Sequence, residues 1–157
     1  TTLRVDVIVN AANNSLLGGG GVDGAIHRTA GPELLQACKA LNGCETGEAK
    51  ITPGFALPAK WIVHTVGPVW HGGGQRESEL LGGCYERSFA LAGEFGATRI
   101  AFPAISTGIY GYPKEQACRI ALGIMMKYER NYKSIIACCF SQQDAELYRQ
   151  VYRELSP

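Results

Sequence analysis

The chain has 157 residues, of which 46% are apolar and 18% charged, and a formal net charge of +1. That length suits one domain burying about two thirds of its unfolded surface, and the near-neutral charge supplies no clustered basic footprint for nucleic acid. No apolar run approaches the ~20 residues of a membrane span, so neither nucleic acid nor membrane is expected as a partner.

Val5 to Val9 is an apolar run, broken only by Asp6, and reads as a buried strand. Asn10-Ala11-Ala12-Asn13 follows, then four consecutive glycines, Gly18 to Gly21, then Val22-Asp23 at the head of a helical pattern running to about Ala30. Consecutive glycines carry a high conformational-entropy cost, tolerated where the backbone must approach something closely. Free N–H groups ahead of a helix N-terminus form an anion site. The stretch therefore reads as a phosphate cradle. It is not a Walker A loop, because Gly21 is followed by Val22-Asp23 and not by Lys and Ser or Thr. Nor is it a Rossmann turn, since Asn10 to Leu17 separate the strand from the first glycine. Asp23 is the anomaly, because phosphates repel a carboxylate. Either it caps the following helix or it does chemistry on a neighbouring part of the ligand.

Gly31-Pro32 breaks the first helix, and Pro32 fits the opening of a second that runs to about Leu41. Glu48 to Pro53 reads as a short strand, and Trp61 to Val66 as a stronger one ending at Gly67-Pro68. Glu77 to Phe95 reads as a helix and Arg99 to Pro103 as a strand. Ala104 to Tyr112 is a second glycine-containing loop, Pro113 opens a helix to about Tyr128, and Ser134 to Phe140 is the last strand. Ser141 resembles an N-cap for a final helix. Strands alternating with helices, several of them continuously apolar, argue for a mainly parallel sheet with helices on both faces. Ligands in such sheets bind beyond the carboxyl ends of the strands. Asn10–Asp23 and Ser106–Tyr110 both follow strand ends, so they are expected on one rim, each loop gripping one phosphate of a diphosphate.

The six cysteines, Cys38, Cys44, Cys84, Cys118, Cys138 and Cys139, contain no C-x-x-C pair. They read as reduced, buried small hydrophobes, with Cys138 and Cys139 on opposite faces of the last strand, in a cytoplasmic setting. His64 lies within a strand and reads as a core histidine, and His71 as a loop residue. No metal site is expected. His27 stands one turn after Asp23, so a proton relay or a structural hydrogen bond is open to the pair. Ser106 lacks the G-x-S-x-G frame of a nucleophile, since Ala104 and Gly108 flank it, and reads as a phosphate contact. Asn10 has two open roles, satisfying backbone groups at the strand end or facing the ligand.

Asn10-Ala11-Ala12-Asn13, the Gly18–Gly21 run, Val22-Asp23-Gly24 and Ile26-His27-Arg28 together resemble the signature of the macrodomain family. The MacroD-type branch, with the bacterial O-acetyl-ADP-ribose deacetylases, is the closer match. His64-Thr65-Val66-Gly67-Pro68 and Ala104 through Gly111 extend the resemblance over the whole chain. It implies one macrodomain over residues 1–157, a three-layer α/β/α sandwich with a mixed, mainly parallel sheet. It also implies ADP-ribose as ligand, with Asn13 orienting the distal ribose and Asp23 holding or activating water beside it. Asn10, Ala12, Gly18, Gly19, Gly20, Gly21, Val22, Ser106, Thr107, Gly108, Ile109 and Tyr110 are then expected around the ligand. Phe140 would stack on adenine or pack into the core. The family's Gly-Asp-Ile segment, whose aspartate reads adenine, would fall before Thr1, so an N-terminal strand is expected to precede this chain.

The expected activity is a cytoplasmic, cofactor-free hydrolase of esters on the distal ribose. Its substrates would be O-acetyl-ADP-ribose or ADP-ribose carried on protein carboxylates. A non-catalytic ADP-ribose reader, or a regulator of an RNA-processing partner, are the other readings. Asn13 with Asp23 favours the enzyme, because a pure binder gains nothing from a carboxylate near phosphates.

Overall fold

A computed structural model describes residues 2–157. Its sheet has five strands, β1 (Val7–Ala11), β2 (Ala49–Pro53), β3 (Trp61–Thr65), β4 (Arg99–Phe102) and β5 (Ser134–Ala137). They lie in the order β2-β3-β1-β4-β5. β3, β1, β4 and β5 run parallel, and β2 joins the β3 edge antiparallel. The sheet is thus mixed and mainly parallel.

Alternate residues along the strands feed two separate cores, as the two-residue side-chain period requires. Val7, Val9 and Val63 pack with α3 (Glu77–Glu94), α4 (Lys114–Tyr128) and α5 (Gln142–Leu155) on one face. Ile8, Ile62 and Ala101 pack on the other face with Ile26 and Ala30 of α1 (Gly21–Ala30) and Leu34 and Cys38 of α2 (Pro32–Leu41). Asn10 and His64, the next positions along β1 and β3, point to that second face and are register partners in the ladder. Both are fully buried. The apolar layer under α1 therefore carries a polar row near its upper end.

The helices and first four strands match their sequence expectation within a residue or two. The last strand does not: it stops at Ala137, three residues short. Cys138 N–H still bonds to Phe102 O at 2.8 Å, but beyond it no neighbouring strand remains to pair with. Cys138 is consequently exposed and Cys139 half-buried, which corrects the expectation of six buried thiols. Phe140 is 97% exposed, so core packing is excluded for it. Among the described residues no helix is long and apolar enough to cross a membrane.

Candidate functional site

The four parallel strands end on one side of the sheet, and every segment singled out in the sequence leaves from that side. β1 leads into Ala12–Gly20, β3 into Val66–Arg76, β4 into Pro103–Pro113 and β5 into Cys138–Ser141.

The first loop is held by Asn13. Its side-chain Oδ1 accepts from Ser15 N (3.1 Å), Ser15 Oγ (2.6 Å) and Leu16 N (3.2 Å), while Nδ2 donates to Gly18 O at 3.0 Å. These bonds shape the path to the glycines, a local role Asn performs through Asx-type turns, and leave the second Nδ2 hydrogen without a protein acceptor among the described residues. Gly18 (φ +94°) and Gly21 (φ +57°) adopt left-handed backbone that glycine accommodates at least cost. A Cβ at Gly19 would stand 3.3 Å from Asp23 Oδ2. One at Gly24 would stand 2.5 Å from Gly19 O, so the loop lies directly on the first turn of α1. Gly24 is a requirement that the sequence signals only as a glycine inside a helix. Space above Gly20 and Gly21 is open. Gly20 is the N-cap and makes no side-chain cap bond, and the first return bond is Gly24 N to Gly20 O at 3.2 Å. The N–H groups of the first turn are left to an anion.

Asp23 is not a cap. It is 5% exposed, and its Oδ1 accepts from Asn10 Nδ2 at 2.9 Å. His27 Nε2 lies 3.5 Å from the same oxygen. Asn10, fully buried, also places Nδ2 3.2 Å from His64 Nδ1, so it braces the carboxylate from below. Asn10 Oδ1 has no protein partner. Ala12 donates its N–H to Thr65 O at 2.9 Å and buries its methyl group in the α1/α2 core. It continues the ladder, so any contact it makes with a ligand is through its backbone.

The second loop turns on Ser106, a non-glycine residue at φ +67° and 7% exposed, whose Oγ is buried with no partner. Left-handed backbone costs such a residue roughly 1–2 kcal/mol, and an orphaned buried hydroxyl adds to that. Left-handed backbone together with an unpaired buried hydroxyl makes Ser106 a candidate ligand contact. Thr107 Oγ1 donates to Ala104 O at 3.2 Å, and Gly111 N and Tyr112 N bond back to Gly108 O and Ser106 O. The turn presents Ile109, 99% exposed, beside half-buried Tyr110. Val22 and Leu17 are each 48% exposed. Apolar side chains this open at the rim suit closure over a bound molecule.

Glu77, in sequence only the first residue of a helix, organises the third loop. It is 1% exposed, and its carboxylate accepts from the backbone N–H of His71 (2.8 Å), Gly73 (3.0 Å) and Gln75 (2.5 Å). Burial pushes its pKa up, but these donors outweigh it and hold the carboxyl at about 2. The same loop bonds Trp70 N to Tyr110 O at 2.8 Å and packs the Trp70 ring on Tyr112. Glu77 thereby steadies the Ser106–Tyr112 turn at one remove. A carboxylate a few residues after a triple glycine is the signal that would have found it.

Burial lowers the His64 pKa to about 4, with the proximity of His27 adding to the effect, so its ring is neutral at physiological pH. It is a core histidine, as expected, but one tied to the candidate site through Asn10. His71 is an exposed loop residue, as expected.

With this geometry in place, the comparisons with known proteins are specific. The Macro domain model matches residues 9–121. A Macro domain-containing protein of Chlorobaculum tepidum is 61% identical over 153 residues, covering 96% of this chain and 89% of its own length. A Klebsiella pneumoniae protein named O-acetyl-ADP-ribose deacetylase is 52% identical over 158 residues, covering 96% of this chain and 90% of its own. The Oceanobacillus iheyensis macrodomain solved with ADP superposes with a TM-score of 0.92 at 43% identity, covering 98% of this chain and 85% of that one. Structures of that protein include Asn→Ala, Gly→Val and Asp→Ala variants, the Gly→Val one with ADP-ribose bound. Those three positions are spaced as Asn13, Gly20 and Asp23 are here.

Proposed function

The chain belongs to the Macro domain family, and we propose that it binds ADP-ribose and hydrolyses esters on the distal ribose. The observation that carries this reading is Asp23. It is a buried carboxylate held by Asn10 on one oxygen, directly under the glycine loop, with no cap to make. A binding module has no use for a charge that repels the ligand's phosphates, whereas a water-activating group must sit there.

In this reading the diphosphate lies between the uncapped first turn of α1 and the Ser106 turn. Ser106 Oγ and the N–H groups of Gly20 to Val22 supply donors, and Ile109 and Tyr110 close over it. Phe140 is exposed beside the end of β5 and is assigned to the adenine. Asp23 orients a water and takes one proton from it as the water oxygen adds to the ester carbonyl carbon. The tetrahedral adduct collapses with cleavage of the bond to the ribose oxygen, which receives that proton. The acid product then loses its own proton to solvent. Asn13 acts by shaping the loop that places the ribose.

The substrates are O-acetyl-ADP-ribose and ADP-ribose esterified to protein carboxylates, since both present the same bond to Asp23. ADP-ribosylated proteins are then the partners, the chain acts as one macrodomain, and its unpaired thiols suit the cytoplasm. The deciding experiment measures turnover of O-acetyl-ADP-ribose and of a mono-ADP-ribosylated protein side by side, with calorimetric ADP-ribose binding as control. Hydrolysis of at least one ester is expected. Tight binding with no turnover of either would make the protein a reader.

A further inference from the structure

A row of polar side chains crosses the otherwise apolar face beneath α1: Thr52 on β2, His64 on β3, Asn10 on β1 and Asp23 on α1. All four are buried. The contacts run without a break. Thr52 Oγ1 is 2.9 Å from His64 Nε2, His64 Nδ1 is 3.2 Å from Asn10 Nδ2, and Asn10 Nδ2 is 2.9 Å from Asp23 Oδ1. Packing alone does not call for this row, since Ile8 and Ile62 fill the equivalent positions two residues earlier. Each of these polar groups is costly to bury unless hydrogen-bonded.

The direction of each bond follows from chemistry. One Asn10 nitrogen meets both Asp23 Oδ1 and His64 Nδ1, and its two hydrogens serve both only if both partners are acceptors. A carboxylate oxygen always accepts. His64 Nδ1 accepts only when the ring is neutral with its proton on Nε2, and Thr52 Oγ1 stands where that Nε2–H points, with Cys38 Sγ farther off at 3.9 Å. The opposite tautomer, or an imidazolium, would put a hydrogen on Nδ1 and favour a flipped Asn10. The flipped amide oxygen would then face the Asp23 carboxylate and repel it.

We infer that His64 is a positioning residue for Asp23: its unprotonated Nδ1, with Thr52 receiving the Nε2–H, fixes Asn10 with its N–H groups toward the carboxylate. The inference rests on the hydrolase reading for its catalytic consequence. The bond pattern itself does not depend on that reading. His64 is sealed from solvent and touches no ligand position, so its effect reaches the reaction only through Asn10.

Two measurements test it. Long-range proton–nitrogen NMR correlation on ¹⁵N-histidine-labelled protein at pH 7, without ligand, is expected to show His64 protonated on Nε2 alone. An Nδ1–H tautomer or an imidazolium overturns the proposal. Kinetics with O-acetyl-ADP-ribose then compare His64→Gln, which keeps an acceptor and a donor, with His64→Leu, which keeps neither. His64→Leu is expected to lower kcat about tenfold, the size expected when one buried hydrogen bond is lost. KM and calorimetric ADP-ribose affinity should stay within about twofold, and His64→Gln should recover most of kcat. Equal losses in the two variants, or a loss that appears in ADP-ribose affinity, overturns it. Should His64→Leu not fold, Thr52→Val carries the test: the second tautomer appears and kcat falls, and no change in either overturns the proposal. A wild-type protein that turns over neither ester overturns the hydrolase reading and the catalytic consequence together, while the tautomer spectrum still decides the Asn10–His64 arrangement.

Discussion

Gly67 and Ser106, on loops from different strands, pack so closely that a Cβ on Gly67 would overlap the Ser106 hydroxyl and stand 2.6 Å from Ile105 Cγ2. The strained Ser106 turn is thus pressed into shape by the backbone that leaves β3. Gly67→Ala should force that turn to move, costing roughly 1–3 kcal/mol as overpacking does. ADP-ribose affinity should fall as well. Thermal melts and calorimetry on the one variant read both effects, and unchanged affinity would free the Ser106 turn from any part in binding.

The glycine run allows a more selective test. Space above Gly20 and Gly21 is open, so a side chain there disturbs the ligand and not the fold. Gly21→Glu adds a carboxylate where the phosphates are proposed to lie, and left-handed backbone at φ +57° adds a modest strain. The variant should fold yet lose ADP-ribose binding beyond calorimetric detection. Retained affinity in a folded protein would sink the phosphate cradle.

Stability should fall with acid in two overlapping steps. The neutral ring of His64 is buried, with its pKa lowered from 6.5 to about 4. Its contribution is complete above pH 6.5 and is lost as the unfolded chain gains the proton between about 6.5 and 4. That loss is on the order of 3 kcal/mol. The Glu77 carboxylate, lowered from 4.5 to about 2, acts in the same sense. Its contribution is complete above pH 4.5 and disappears toward pH 2. Urea melts at stepped pH should show both declines, with His64→Gln flattening the upper and Glu77→Gln the lower. A stability that stays level from pH 7 to pH 5 would contradict a neutral, buried His64.

What the sequence made legible, and what it hid, separates by range. Largely apolar runs such as Trp61–Val66 and the glycine punctuation mark the strands and their order along the chain, because those signals are local. The two conspicuous loops fell on one rim for the same reason: each follows the end of a parallel strand. Glu77 and the Asn10–His64 pair stayed hidden because their meaning is not local. Asn10 and His64 are 54 residues apart and meet only through the β1–β3 register. The motif around Asn13 implies a ribose contact but says nothing of its bonds to Ser15, Leu16 and Gly18, which exist only in the folded loop. Cys138-Cys139-Phe140 is apolar enough in sequence to continue the last strand, which ends at Ala137. What ends a strand is the lack of a partner, which a single segment does not reveal.

Thiol chemistry should leave the site alone. Burial pushes Cys38, Cys84 and Cys118 up to about 11, leaving little thiolate at neutral pH. Iodoacetamide on the native protein should therefore label exposed Cys138 first and half-buried Cys139 more slowly, with ester turnover retained. Loss of activity in step with one modified cysteine, in a folded protein, would revive a thiol mechanism.

The roles of Asp23 and Asn13 separate by what each touches. Asp23 keeps one oxygen uncommitted beside the glycine loop, and removing a general base or water-orienting group typically costs ~10²- to 10⁴-fold in rate, roughly 3–5 kcal/mol of barrier. Asp23→Ala should show that loss in kcat while ADP-ribose binding stays level or tightens, since a repulsion near the phosphates disappears. Asn13 makes its bonds within the loop, so Asn13→Ala should loosen the glycine path and lose binding and rate together. The double variant should fall short of the summed losses, because both side chains act on one geometry. Steady-state kinetics and calorimetry on the two single variants and the double decide between these patterns. Were Asp23→Ala to lose affinity and rate in equal proportion, the carboxylate would be a scaffold for the loop, and the protein a reader of ADP-ribose.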